Sequence, residues 1–326
     1  MLDRGAESGQ TVSGRKESIL HIFPEHLREK FLICMQYADS LQEIRLRAEL
    51  PVILMIRGKE FFLQEDGSLS GDPGNAYRVT GREVADILNH TCNYSLYAFE
   101  DEIRQGFITV AGGHRIGLTG QAVLENENSL RYLKHIHSLN IRIAHQIRGV
   151  SDKVLPFLYR DGRMLNTLLL SPPGCGKTTM LRDLIRCISD GNTYGRGCTV
   201  SVIDERSEIA GSFQGIAQND VGMRTDVMDA CPKLLGMMMV IRSMTPNVLA
   251  VDELGSSEEL ELLRQAMASG CRILATLHAE NLADMQGKDF MDRAVKKHFF
   301  QRYVVLAKRN GTPDVYGVYD ERMEPC

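Results

Sequence analysis

Tryptophan is absent from this chain of 326 residues, and aromatic residues make up only 6% of it. Few rings are therefore on hand for stacking the bases of a single strand. Basic charge is not in excess either. The 38 Lys and Arg against 42 Asp and Glu leave a net charge of -4, without the broad positive field that phosphate-backbone binding uses. A specific nucleic-acid partner is not expected. No apolar run approaches the ~18 residues that spanning a bilayer takes. The longest, Leu234 to Ile241, is interrupted by Gly236 and closed by Arg242. Met1 to Ser18 is polar, lacks an apolar centre, and reads as a disordered tail (1–18) rather than a signal peptide. The eight cysteines are scattered, with no CxxC pair and no histidine at zinc spacing, so reduced thiols in a cytoplasm are expected. His135 and His137 lack the further ligands that would complete a metal site.

What is present is the composition of a folded globular protein, 43% hydrophobic and 25% charged, with length enough for about two domains. The first half predicts an α+β domain over 19–148. A helix is expected from Pro24 on the spacing of Leu27, Phe31, Leu32 and Met35, then strands at Glu43 to Arg47, Pro51 to Ile56 and Glu60 to Leu63. Thr80 and Glu83 form a capping box that opens a helix through Val84, Ile87 and Leu88, and another helix over Leu96 to Arg104 stops at Gly106. Phe107 to Val110 and His114 to Leu124 around Gly112-Gly113 read as a hairpin, with Leu139 to Ala144 as a further strand. After a helix-like stretch between Gly149 and Asn166 the rhythm changes. Short apolar strands at Thr167 to Leu170, Thr199 to Ile203, Val248 to Val251 and Arg272 to Thr276 alternate with helices, the pattern of an α/β domain with a parallel sheet over 149–326. Arg302 to Ala307 and Val315 to Tyr319 flank Asn310-Gly311 as an antiparallel edge hairpin.

The chemistry is concentrated in this second half. Ser171-Pro172-Pro173-Gly174-Cys175-Gly176-Lys177-Thr178-Thr179 follows a strand and opens a helix, which is the setting of a phosphate-binding loop. Glycines let consecutive N–H groups close around phosphate oxygens, and the helix N-terminus adds its positive end. Pro173, Gly174, Cys175, Gly176, Lys177, Thr178 and Thr179 are the candidate ATP-binding residues, with Lys177 on the phosphates and Thr178 on Mg²⁺. Ser171 stands where the general pattern has glycine. Val248 to Val251 ends in Asp252-Glu253, the arrangement of a Walker B strand, so Asp252 is the second Mg²⁺ candidate and Glu253 the candidate base for an attacking water. Ser256 and Glu259 form a capping box behind it. Glu205, in the acidic cluster after Ile203, is a second candidate carboxylate. Thr276 and His278 end a further strand, where they either sense a γ-phosphate or simply hydrogen-bond a loop. Met237-Met238-Met239-Val240 reads as core, and Cys175 as a backbone contributor rather than a redox switch.

A phosphate loop, an acidic box, a Walker B strand and a histidine box, in that order behind an α+β domain, resemble the traffic ATPases of type II and type IV secretion and pilus retraction. The stretches GGHRIGLTGQAV, SLNIRIA, IDERSEIAG, QNDVGMRTDVMDACPK and MMMVIRSMTPNVLAVDE resemble one branch of that group, the stage III sporulation AA family, from about Glu43 to His278. The resemblance implies a RecA-like P-loop ATPase core. It also implies a hexamer in the mother-cell cytoplasm, peripheral to the membrane through partners, which energises a secretion-like channel of membrane proteins facing the forespore. Many secretion ATPases carry Gly before the Walker B glutamate, where this chain has Asp252. An arginine acting from a neighbouring subunit is expected to neutralise the γ-phosphate, with Arg224 and Arg142 ranked above Arg115 and Arg242. Two other functions share the same motifs: a nucleic-acid-dependent RecA-like ATPase, and a nucleotide-dependent assembly switch with little turnover.

Overall fold

The computed structural model describes residues 12–104, 106–126, 129–309 and 312–326. The chain divides into two compact units, one of Met1–His145 with Gly211–Asn219, the other of Gln146–Ala210 with Asp220–Cys326. The first division falls after His145, and the excursion of 211–219 into the first unit carries no signal in the sequence.

The first unit is built on a seven-stranded sheet in which every neighbouring pair is antiparallel. Leu41–Arg47 lies at its centre between Ile53–Ile56 and the long strand Ser129–Arg142, which pairs in turn with His114–Asn126. Alternate residues Ile44, Leu46, Ile116, Leu118, Leu139 and Ile141 are buried, as the period of two in a half-buried strand requires. Phe23 and Phe31 stack beneath them with ring centroids 3.8 Å apart. The capping box at Thr80 forms in full: its hydroxyl accepts the Glu83 N–H while the Glu83 carboxylate accepts the Thr80 N–H. Residues 1–11 of the expected tail lie outside the described residues, and from Val12 to His21 the chain is helical. Ile19, Ile22 and Phe23 are buried at the start of the expected domain, and Ser18 is buried with them at the end of the polar stretch. The helix expected from Pro24 is broken into the short pieces Glu25–Arg28, Glu29–Phe31 and Ile33–Gln36, burying Leu27 and Phe31 but leaving Leu32 exposed.

The second unit carries a seven-stranded sheet in the order Thr225–Asp229, Val200–Asp204, Val248–Val251, Arg272–His278, Thr167–Ser171, Arg302–Arg309, Thr312–Asp320. The first six are parallel and the last is antiparallel, so the closing hairpin is as expected, although its turn at Asn310-Gly311 lies outside the described residues. The four central strands are almost wholly buried, the near-continuous apolar run of a parallel sheet covered on both faces. Thr225–Asp229, not among the expected strands, is an additional edge strand. Its half-exposed residues, two of them aspartates, give no apolar run to betray it. The stretch between Gly149 and Asn166 holds only the short 3₁₀ turn Leu155–Leu158 and a two-residue hairpin. In helix Lys233–Ser243 the core expectation holds for Met237 and Val240 and fails for Met238 and Met239, which face outward with Leu234 and Leu235.

Candidate nucleotide-binding site

Parallel strands deliver their chain ends to one edge of the sheet, and Ser171, Asp204, Asp252 and His278 all arrive there. After Ser171 the loop 172–176 turns into helix Lys177–Asp190 through Gly174 and Gly176, whose φ angles of 70° and 78° are left-handed. Gly176 is excluded from substitution twice over, since a Cβ there would also meet the Pro313 Cβ at 3.0 Å. The first N–H groups of the helix have no acceptor within it, which leaves donors and the dipole aimed at the loop. Ser171, in place of the usual glycine, is fully buried and donates its hydroxyl to the Pro172 carbonyl at 2.7 Å. Cys175 is buried, while Pro173 and Gly174 are exposed at the tip and Thr178 and Thr179 lie half-buried in the first helical turn.

Lys177 is only 5% exposed, and its ammonium gathers the site. It donates to Glu253 Oε1 at 3.0 Å and lies 3.2 Å from His278 Nε2 and 3.7 Å from Asp252 Oδ1. His278 Nε2 is itself 2.8 Å from Glu253 Oε1. Burial alone would raise the Glu253 carboxyl; the Lys177 ammonium and the His278 ring outweigh it and hold that group below the usual glutamate value. The Thr178 hydroxyl donates to Asp252 Oδ2 at 3.4 Å, and the Thr276 hydroxyl donates to Asp252 Oδ1 while accepting the Glu253 N–H at 2.9 Å. Thr276 thus hydrogen-bonds both residues of the Asp252-Glu253 turn. Ser256 accepts the Glu259 N–H, but the Glu259 carboxylate reaches Gly255 N–H rather than Ser256, so the expected capping box is only half formed.

The acidic box divides its labour. Asp204, buried at the strand end, accepts N–H groups from Glu208, Ile209 and Ala210 at 2.8–3.2 Å; burial pushes its carboxyl up, against those hydrogen bonds. Buried Arg182, from the phosphate-loop helix, donates to the carbonyls of Ile209 and Glu208. The loop so pinned presents Glu205 and Arg206 on the rim of a cleft of about 130 Å³, together with Glu208, Lys233, Asp252 and Glu253. Arg206 Nη1 is 3.4 Å from Glu253 Oε2, so an arginine does stand beside the Asp252-Glu253 turn. Neither Arg206 nor Lys233 was nominated from the sequence. Arg206 is marked by its place in the acidic cluster, whereas Lys233 follows an edge strand and has no local signal.

The two arginines ranked highest are not part of this constellation. Arg224 stands where strand Thr225–Asp229 begins, at the other end of the sheet, and donates to the Ser189 carbonyl at 2.9 Å. Arg142 belongs to the first unit, 65% exposed, with its Nε 4.0 Å from Glu43 Oε1. Arg115 lies over the Phe107 ring at 3.8 Å, and Arg242 is exposed near the end of its helix.

Residues 13–325 match the family described as Sporulation stage III, protein AA. The chain belongs to that family. It is 38% identical over 304 residues to the stage III sporulation protein AA of Bacillus subtilis, covering 93% of this chain and 94% of that one. The type II secretion system protein E of Pseudomonas aeruginosa is 24% identical over 82% of this chain and 45% of that protein's length. Among solved structures, the Legionella pneumophila ATPase DotB superposes with a TM-score of 0.58 at 13% identity, over 92% of this chain and 81% of that one. The pilus retraction motor PilT with bound ADP gives 0.56 at 16% identity, over 89% and 81%. The chain thus has the fold of the RecA-like secretion ATPases.

Proposed function

We propose that the chain is a Mg²⁺-dependent ATPase, and the observation that carries this reading is the convergence of Lys177, Thr178, Asp252, Glu253 and His278 at the C-terminal edge of a parallel sheet behind a glycine-shaped loop. The N–H groups of residues 174–178 and the Lys177 ammonium bind and orient the β- and γ-phosphates. The Thr178 hydroxyl and the Asp252 carboxylate are the hard oxygen donors that Mg²⁺ accepts, and they suit a cation that keeps several waters and takes its other ligands from phosphate. When bound, Mg²⁺ neutralises charge developing on the transferred phosphoryl group. Glu253, ionised at neutral pH, orients the attacking water and accepts its proton, with His278 fixing one carboxylate oxygen. Glu205 faces the same cleft as the second carboxylate, and Arg206 supplies positive charge from within the subunit.

By family membership we extend the reading to a hexameric motor in the mother cell that energises a secretion-like channel through membrane-protein partners. No described helix is long and apolar enough to cross a membrane, so contact with the bilayer runs through such partners in this proposal. Arg142, exposed on its strand, is the arginine we assign to a neighbouring subunit's γ-phosphate; Arg224 is already engaged by Ser189. The decisive measurement is MgATP turnover by the wild type and by Lys177→Ala, with and without DNA, beside the assembly mass with MgATP. Turnover that Lys177→Ala lowers by on the order of 10²–10³-fold is expected, without DNA stimulation. Unchanged turnover in that variant refutes the site, stimulation by DNA favours the nucleic-acid motor, and assembly without turnover favours the switch.

A further inference from the structure

Glu253 sits in left-handed backbone at φ 55°, a conformation a non-glycine residue keeps only where its surroundings hold it. Its side chain is held by Lys177, His278 and Arg206, but its direction is set by its two peptide groups. The N–H is held by Thr276 Oγ1 at 2.9 Å. The carbonyl is held by the ammonium of Lys233, a side chain only 11% exposed. The same ammonium lies 3.5 Å from Glu259 Oε1, and Glu259 in turn accepts the Gly255 N–H at 2.8 Å, so one cation braces both ends of the turn 253–255. Lys233 also reaches the acidic loop twice. Its backbone N–H donates to Glu205 Oε1 at 3.3 Å, and its Nζ is 3.9 Å from Glu205 Oε2.

We propose that Lys233 is a positioning residue that locks the Glu253 turn to the Glu205 loop and so fixes the two candidate carboxylates relative to one another. An ammonium has three donors and no acceptor, which suits a carbonyl and two carboxylates converging on a nearly buried point. Its place as the first residue of helix Lys233–Ser243, behind Pro232, fixes the stem, since Pro232 supplies no side-chain cap and the Lys233 N–H is free to take Glu205 instead. Without the ammonium the Glu253 carbonyl loses its donor and the carboxylate swings with the peptide. Phosphate contacts from the loop and Lys177 do not pass through Lys233.

This role rests on the ATPase reading, so the test pairs turnover with equilibrium MgATP binding in the wild type, Lys177→Ala, Lys233→Met and Lys233→Arg. Misplacing a catalytic group by about an ångström is enough to cost turnover heavily, and Lys233→Met is expected to lower kcat about ten- to hundred-fold with MgATP affinity within about two-fold. Lys233→Arg, which can donate to the same three acceptors, should recover most of the loss. Lys233→Gln, with a neutral donor, is held to the same split and covers the case in which the methionine variant does not fold. An active wild type with equally active Lys233→Met and Lys233→Gln overturns the positioning role alone. So does a parallel fall of kcat and affinity that arginine fails to rescue. A wild type without Lys177-dependent turnover overturns the ATPase reading and this role together.

Discussion

Both ends of the parallel sheet in the second unit carry polar side chains, and the partners of the most prominent ones differ in kind. Where the strands begin, Asn166, Arg302 and Arg224 each reach a backbone carbonyl. Asn166 accepts from Ile273 N–H at 3.0 Å and donates to the Phe299 carbonyl at 3.2 Å, Arg302 donates to the Phe157 carbonyl at 2.7 Å, and Arg224 donates to that of Ser189. Where the strands finish, charged side chains close on one another: Lys177 on Glu253 and Asp252, Arg206 on Glu253, Lys233 on Glu259. A side chain committed to a carbonyl completes a strand's hydrogen bonding and has one arrangement. A side chain committed to another charge can exchange it for a ligand of the same sign. The difference separates residues that hold the sheet from residues that can bind, even when their types are the same.

Three substitutions probe that contrast, in falling order of effect. At the finishing end, Glu253→Gln should retain MgATP yet lose about 10²–10⁴-fold in turnover, because the water loses its base while the phosphate contacts stay; a quench of bound nucleotide reads both. Brisk turnover by this variant would move the base to Glu205. At the beginning end, Asn166→Ala should lower unfolding free energy by about 1–3 kcal/mol through the partners it strands, with turnover per folded molecule unchanged. Denaturant titration beside an activity assay checks it, and a loss of turnover greater than the loss of folded protein would erase the contrast between the ends.

The smallest effect is one of pH. Asp183, on the inner side of the phosphate-loop helix, would be raised by burial, but the Ser151 N–H and hydroxyl and the Arg186 guanidinium hold its carboxyl below the ordinary aspartate range. A depressed folded pKa contributes stability that is complete above the unfolded value of about 3.9 and is lost as pH falls through the folded one. Asp183→Asn should therefore be less stable at neutral pH, and its stability should fall less steeply than the wild type's below about pH 4. Parallel acid titrations for the two proteins would show that Asp183 carries none of this dependence.

Legibility followed the same division. The phosphate loop, the Asp252-Glu253 turn and His278 are recoverable from sequence because each is a local pattern attached to a buried strand, and the sheet places strand ends side by side without further instruction. The Thr80 box is similarly local, whereas Glu259 chose Gly255 over Ser256 because Lys233 draws its other oxygen, a tertiary influence. Lys233 and Arg206 act through partners 20 and 47 positions away, and no spacing encodes such distances. Met238 and Met239 were misread because composition alone does not say which face of a helix the core takes. Thr225–Asp229 was missed because an edge strand needs only a partner's backbone.

The excursion of Gly211–Asn219 also governs how the protein can be taken apart. Gln218 accepts the Gly112 N–H at 2.8 Å and Phe213 packs against the first unit's core, so a fragment ending at His145 would lack part of its own fold. The chain passes between the units three times, and at two of those passages Gln146 and Asp220 are tied by reciprocal hydrogen bonds of 2.7 and 2.9 Å. A single nick after His145 would leave 211–219, part of the first unit, on the polypeptide of the second. To obtain the second unit by itself, a gene would have to start at Gln146 and splice Ala210 to Asp220, with the nine-residue insert grafted onto the other half by a new linker.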